Sequence, residues 1–279
     1  MSHQQINRRS STPCPRCRRL ISINTDKCIH CGLRKPSIYL STPVLKDLII
    51  GKISFVDGIL LICVVLYVLA LLLDFSGLSI LEGGIFNLLS PAIESLNKLG
   101  MGGAIPMAHG RWWTLITATY LHGSILHIGF NMLWLRRIGP LVEELFGASR
   151  FWIIYTLSGL AGSILTTIAG TPFFVGASGA IFGLFGALIY YGRHRGGTFG
   201  TNLFRQMLIW AGIAFVFGFM AQGIDNWGHL GGFLGGLVTA ILLGYQEKSR
   251  QSLYQHIFAT FLLLIVGVCF VMMVITFFS

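Results

Sequence analysis

Charged side chains are scarce. Asp, Glu, Lys and Arg make up 11% of the 279 residues, where a soluble domain carries about 25%. Hydrophobic residues make up 54%, and the mean hydropathy is +0.73. That leaves too little polar surface to cover a soluble globule. The shortage argues against a soluble enzyme, a secreted disulfide scaffold and a disordered tail, and it points to an integral membrane protein. The first fifty residues also lack an apolar stretch of signal-peptide type and a small-residue cleavage site. The first hydrophobic segment, Ile59 to Leu73, therefore reads as a retained signal-anchor. Glycine is abundant, with 35 residues and no collagen period, which suits membrane helices packed backbone to backbone.

The charge is unevenly placed. Of the 20 Lys and Arg, ten precede residue 53, opposed only by Asp26 and Asp47, so this segment carries about +8. Beside a membrane span, such a segment reads as a cytoplasmic flank facing anionic lipid rather than a nucleic-acid surface. The expected organisation is a disordered tail at 1–13, a four-cysteine module at 14–35, a basic linker at 36–54, and then membrane helices to the end. Seven spans are expected, near 55–74, 124–145, 151–170, 177–191, 204–221, 227–245 and 256–278. Each is close to the roughly 20 residues that a bilayer core requires. The stretch 75–123, with Gly83-Gly84, Pro91, Pro106 and Trp112-Trp113, reads as a structured loop with short interfacial helices. With the N-terminus in the cytoplasm, eighteen cations fall on the cytoplasmic side, and only Lys98 and Arg111 fall outside. This obeys the positive-inside rule and puts the C-terminus outside.

Cys14-Pro-Arg-Cys17 and Cys28-Ile-His-Cys31 are two CxxC pairs ten residues apart. Each pair can supply two thiolates from one tight turn, and four thiolates make a closed tetrahedral zinc site. Two disulfides fit a reducing cytoplasm poorly, and no thioredoxin-like pattern surrounds the pairs. A structural Zn²⁺ is expected, with a docking or regulatory role that leaves a cytoplasmic partner open. Cys63 and Cys269 lie alone in spans and read as packing residues.

Polar groups inside lipid are costly and mark function. Three clusters stand out, all at outer span ends. His122-Gly-Ser-Ile-Leu-His127-Ile-Gly-Phe-Asn131 opens the second span, with His127 and Asn131 four apart on one helical face. Gly176-Ala-Ser178-Gly opens the fourth. Its flanking glycines leave the hydroxyl accessible at a helix N-terminus, where free N–H groups suit a developing oxyanion. Gly228-His229-Leu-Gly-Gly-Phe-Leu-Gly-Gly236 opens the sixth. Its small residues at four-residue spacing, answered by Gly179, Gly183, Gly186 and Ala187, would let the two helices approach closely and bring His229 to Ser178. No acid is well placed as a third member: Glu143 and Glu144 lie at the far end of the second span, and Asp225 precedes the sixth in a position read as solvated. A Ser-His dyad is expected over a triad.

HGSILHIGFN, GASGAIFG and GHLGGFLGG, in this order and spacing over about 105–246, resemble the rhomboid family of intramembrane serine proteases. The resemblance implies an all-α polytopic fold, with a six-helix core at 55–250 and one extra C-terminal membrane helix at 251–279. It makes Ser178 the nucleophile and His229 the general base. His127, Asn131 and the Ser178 N–H would form the oxyanion hole, with His122 and Gly176 in support and Glu143 as the family's acid after the second span. It implies no cofactor for catalysis, single-pass membrane proteins as substrates, and a plasma (bacterial inner) membrane location. Two positions depart from the family pattern: Thr114 replaces the Arg of the loop's Trp-Arg pair, with Arg111 displaced upstream, and Phe182 replaces the Tyr that packs on the histidine. Three rival readings were weighed. A non-catalytic member of the fold that binds membrane proteins would be expected to lack Ser178 or His229. A small-solute transporter would spread polar residues along a path and carry internal repeats. A zinc-dependent binder with a membrane anchor would leave six spans unexplained.

Overall fold

A computed structural model of the chain describes residues 11–14, 19–22, 25–32, 54–74, 88–220 and 224–278. The chain divides into two units, 1–54 and 55–279. Cys17, residues 1–10 of the expected tail, residues 33–35 of the expected cysteine module and residues 36–53 of the expected linker lie outside the described residues.

In the first unit, β1 (Ser11–Pro13) pairs antiparallel with β2 (Leu20–Ser22). Ser11–Pro13, which fall in the stretch expected to be a disordered tail, form β1 through this pairing. Cys14, Ile21 and Cys28 form a small buried cluster with Cys31 packed against it.

The second unit is all-helical. Its elements are α1 (Phe55–Leu73), α2 (Ile93–Lys98), α3 (Ala104–Ala108), α4 (Thr114–Thr117), α5 (Ile125–Phe146), α6 (Ala148–Ile168), α7 (Ser178–Arg195), α8 (Gly197–Met220), α9 (Asn226–Leu243) and α10 (Leu253–Phe277). Seven of these, among the described residues, have eighteen residues or more. Five (α1, α6, α8, α9 and α10) are long and apolar enough to cross a membrane by composition alone. Of the other two, α5 carries Arg136, Arg137, Glu143 and Glu144, and α7 ends in Arg193-His194-Arg195. These charges cluster toward one end of each helix. The expected span near 204–221 starts earlier, at Gly197, because α8 follows α7 after Gly196 alone.

Local chemistry sets the helix ends. The Ser124 hydroxyl accepts the His127 N–H at 3.2 Å and caps α5. A Ser252/Gln255 capping box opens α10. Glu143 Oε1 accepts the Phe55 N–H at 2.9 Å, so this acid serves the start of α1. The loop before α5 holds α2 to α4 and a 3-10 turn at Ala118–Tyr120.

The core is made by α6, α7 and α9. α9 lies against both other helices along its glycines, and there the backbones touch. A methyl group on Gly232 would overlap the backbone of Gly179, and one on Gly236 would overlap Gly183. On the other flank, a methyl on Gly231 would meet the Ala161 carbonyl at 2.7 Å. Around this centre pack Tyr120, Phe146, Phe151, Tyr155 and Tyr191, all buried. Arg150, at the start of α6, is also buried. It donates to Gln255 Oε1 (3.0 Å), the Ser249 carbonyl (3.0 Å), Ser249 Oγ (3.1 Å) and the Arg250 carbonyl (3.1 Å), and so ties α6 to the segment that opens α10.

Candidate active site

Ser178 is the first residue of α7. A helix start leaves its first N–H groups without an intrahelical acceptor. The chain reaches this point through Gly176, whose φ of +132° lies in a region that L side chains avoid. Gly176 is small as well as left-handed. A methyl there would lie 2.7 Å from His127 Nε2 and 3.7 Å from Ser178 Oγ. The bare Cα therefore leaves a niche that imidazole and hydroxyl share.

His229 lies in the first turn of α9 and is buried. Its ring stacks on Phe182, one turn along α7 from Ser178, with centroids 4.2 Å apart and planes at 15°. The residues next to the pair are themselves in contact: a methyl on Gly179 would meet the Gly228 carbonyl oxygen at 3.2 Å. Ser178 and His229 thus flank a point where two helices touch through backbone. The described structure has no hydrogen bond between the hydroxyl and the imidazole, a common state before substrate tightens a site. His229 Nδ1 is buried without a hydrogen-bond partner, so no carboxylate holds the ring.

His127 sits in the first turn of α5. Its Nδ1 accepts the Gly123 N–H at 3.4 Å. A nitrogen that accepts carries no proton, so in the neutral ring the proton is on Nε2, the atom beside Gly176. His122 packs edge-on to His127, with ring centroids at 5.1 Å. It is buried, and neither of its ring nitrogens has a side-chain hydrogen bond. Asn131 Nδ2 donates to the His127 carbonyl at 2.8 Å, which engages one of its two amide hydrogens and leaves the other available.

Several contacts escape sequence reasoning. The Gly176 N–H donates to the Ala118 carbonyl at 2.9 Å, and Gly102 and Phe174 exchange backbone hydrogen bonds at 2.7 and 3.1 Å. The loop before α5 is thereby bonded to the segment that leads into Ser178. Arg111 donates to Asn97 Oδ1 at 2.6 Å and to the Asn97 carbonyl at 2.7 Å, and it lies 6.0 Å from the Trp113 ring. Loop anchoring is thus supplied from Arg111, while Thr114 is buried and bonds the Arg111 carbonyl. Asp225 is half-buried: it caps α9 and accepts a hydrogen bond from Thr166. Backbone pairings of this kind leave no side-chain signal. The Asp225 cap does leave one, an Asp just ahead of a helix.

In the first unit, the thiols of Cys14, Cys28 and Cys31 lie within 4.8 Å of one another, and the sulfurs of Cys14 and Cys31 are 3.7 Å apart. Zinc–sulfur bonds of about 2.3 Å require a tetrahedral edge of about 3.8 Å, so the spacing fits a zinc thiolate site. Burial pushes the Cys28 thiol up, but hydrogen bonds with the backbone of His30 and Cys31 and with the thiols of Cys14 and Cys31 outweigh it and bring it down to about 6. That favours the thiolate a metal needs.

The Rhomboid domain family matches residues 109–246, a range that spans all three glycine-flanked clusters. The chain is 40% identical over 155 residues to rhomboid protease GluP of Bacillus subtilis (strain 168), covering 54% of this chain and 30% of GluP. It is 36% identical over 202 residues to RHOMBOID-like protein 5 of Arabidopsis thaliana, covering 61% of this chain and 63% of that protein. It is 33% identical over 147 residues to the rhomboid-type YdcA of Bacillus subtilis (strain 168), covering 52% of this chain and 73% of YdcA. The chain thus spans under a third of GluP and under two thirds of the Arabidopsis relative.

Proposed function

The chain belongs to the rhomboid family, and from that premise we propose that it is an intramembrane serine endopeptidase working through Ser178 and His229. Five apolar helices and the family make it an integral, multi-pass membrane protein. The observation that carries the proposal is the backbone contact of Gly179 with Gly228, beside an imidazole held flat on Phe182.

The chemistry follows. Ser178 Oγ attacks the scissile carbonyl carbon while its proton passes to His229. The carbonyl oxygen gains negative charge and accepts hydrogen bonds from His127 Nε2–H, the Ser178 N–H and the remaining Asn131 amide hydrogen. The C–N bond breaks, and His229 gives its proton to the leaving amine. Water then loses a proton to His229 and attacks the acyl ester, which returns Ser178. With no carboxylate on Nδ1, stacking on Phe182 orients the ring. The substrates are single-pass membrane proteins whose helix unwinds near the outer face, since a bond inside an intact helix is shielded by its neighbours. The N-terminus lies in the cytoplasm and the C-terminus outside, in the plasma (bacterial inner) membrane. Presence of both Ser178 and His229 favours catalysis over a binding-only role.

The test is cleavage of a single-pass substrate in liposomes. Wild type turns over, and Ser178→Ala and His229→Ala each abolish turnover while remaining folded. Persistent turnover by Ser178→Ala would reject the nucleophile.

For the first unit we infer a structural Zn²⁺ held by Cys14, Cys28 and Cys31, with Cys17 as the fourth ligand from the CxxC spacing. Metal analysis of protein never exposed to chelator is expected to give about one zinc per chain, and Cys28→Ser to lose it.

A further inference from the structure

The carboxylate nearest in sequence to the imidazole acts on backbone. Asp225 Oδ1 accepts the Gly228 N–H at 3.0 Å, and its own carbonyl accepts the His229 N–H at 3.1 Å. Its Oδ2 accepts the hydroxyl of Thr166, a fully buried residue in the last turn of α6. One side chain therefore caps α9 and ties that cap to a neighbouring helix. The junction has no slack: a methyl on Gly228 would stand 2.6 Å from Asp225 Oδ2 and 3.1 Å from Thr166 Oγ1, and one on Gly162 would meet the Gly228 carbonyl at 2.6 Å. His229 is the residue that this turn carries, and its Nδ1 is left without a partner. What a triad achieves by bonding the ring is here left to the Phe182 stack and to the helix on which the ring is mounted.

We propose that Asp225, held by Thr166, is a positioning residue for His229, setting the depth and rotation of the imidazole over Ser178. This rests on the Ser178–His229 reading. An uncapped first turn frays, and a small displacement of a general base is costly in rate. The competing role for the same carboxylate is direct charge stabilisation of the imidazolium. The two differ in what Asn can replace: its amide oxygen still accepts from Gly228 and its amide N–H can meet Thr166, but it has no charge.

The test uses the full chain in liposomes. It reads kcat and KM on a single-pass substrate, together with hydrogen exchange of the Gly228 and His229 amides. Asp225→Ala is expected to lower kcat roughly tenfold or more at unchanged KM and to speed exchange at both amides. Asp225→Asn is expected to restore slow exchange and to bring kcat back within about threefold of wild type, as Asn and Asp are comparable caps. Thr166→Val falls between. The proposal is overturned if Asp225→Ala keeps wild-type kcat, if its kcat falls with exchange unchanged, or if Asp225→Asn is as slow as Asp225→Ala, which would assign the effect to charge. Should Asp225→Ala fail to fold, Asp225→Asn and Thr166→Val carry the same comparison. A wild-type protein that cleaves nothing would instead sink the protease reading, while the exchange series would still report on the cap.

Discussion

A backbone amide decides what His127 can do. The Gly123 N–H occupies Nδ1, which leaves the ring proton on Nε2, beside the niche at Gly176. A histidine fixed in this tautomer is a donor and a poor base, which suits the oxyanion role proposed for His127 and leaves proton transfer to His229 in that proposal. His127→Ala is therefore expected to lower kcat roughly a hundredfold with little change in KM, the usual cost of one oxyanion donor, measured by steady-state cleavage in liposomes. At this scale the sequence was informative about local geometry where glycine flanked a polar residue: Ser178 does open a helix, and the glycines beside Ser178 and His229 meet. It was silent at Gly123, whose contribution is a main-chain group, and at the bond of Asp225 with Thr166, which lies 59 positions earlier.

At the scale of elements, the glycines sort into two kinds. Gly232 sits against the backbone of Gly179, whereas Gly212 on α8 has no atom near the place a methyl would occupy. Gly232→Ala is expected to destabilise by several kcal/mol, since overpacking costs about 1–3 kcal/mol even where side chains can yield. Gly212→Ala is expected to stabilise by about 0.5–1 kcal/mol through helix propensity. Thermal unfolding in one detergent separates the two signs. The four-residue spacing of small residues made the contact between α7 and α9 readable from sequence. The second contact of α9, with α6, was not anticipated, because the small residues of α6 at four-residue spacing, Ser158, Gly162 and Thr166, include only one glycine. Helix bounds were least legible where charge sits inside a helix: α7 runs to Arg195 and α8 starts at Gly197, since cations at a span end lie level with the headgroups and do not interrupt the backbone ladder.

For the whole molecule, seven long helices must be kept in register, and a buried cation fastens the start of α6 to the segment that opens α10. Arg150 meets only neutral acceptors, among them Gln255 and Ser249. Removing it takes the donor from the Ser249 and Arg250 carbonyls, so Arg150→Ala is expected to destabilise by on the order of 3 kcal/mol, read as a lowered Tm. Composition and the asymmetry of Lys and Arg were enough to read a polytopic membrane fold. Clasps such as Arg150 were illegible because their partners, here Ser249, Arg250 and Gln255, lie far along the chain. The glycine seam between α6, α7 and α9 also has a historical consequence. No amino acid is smaller than the one already there, so random drift at those positions has only one direction, outward.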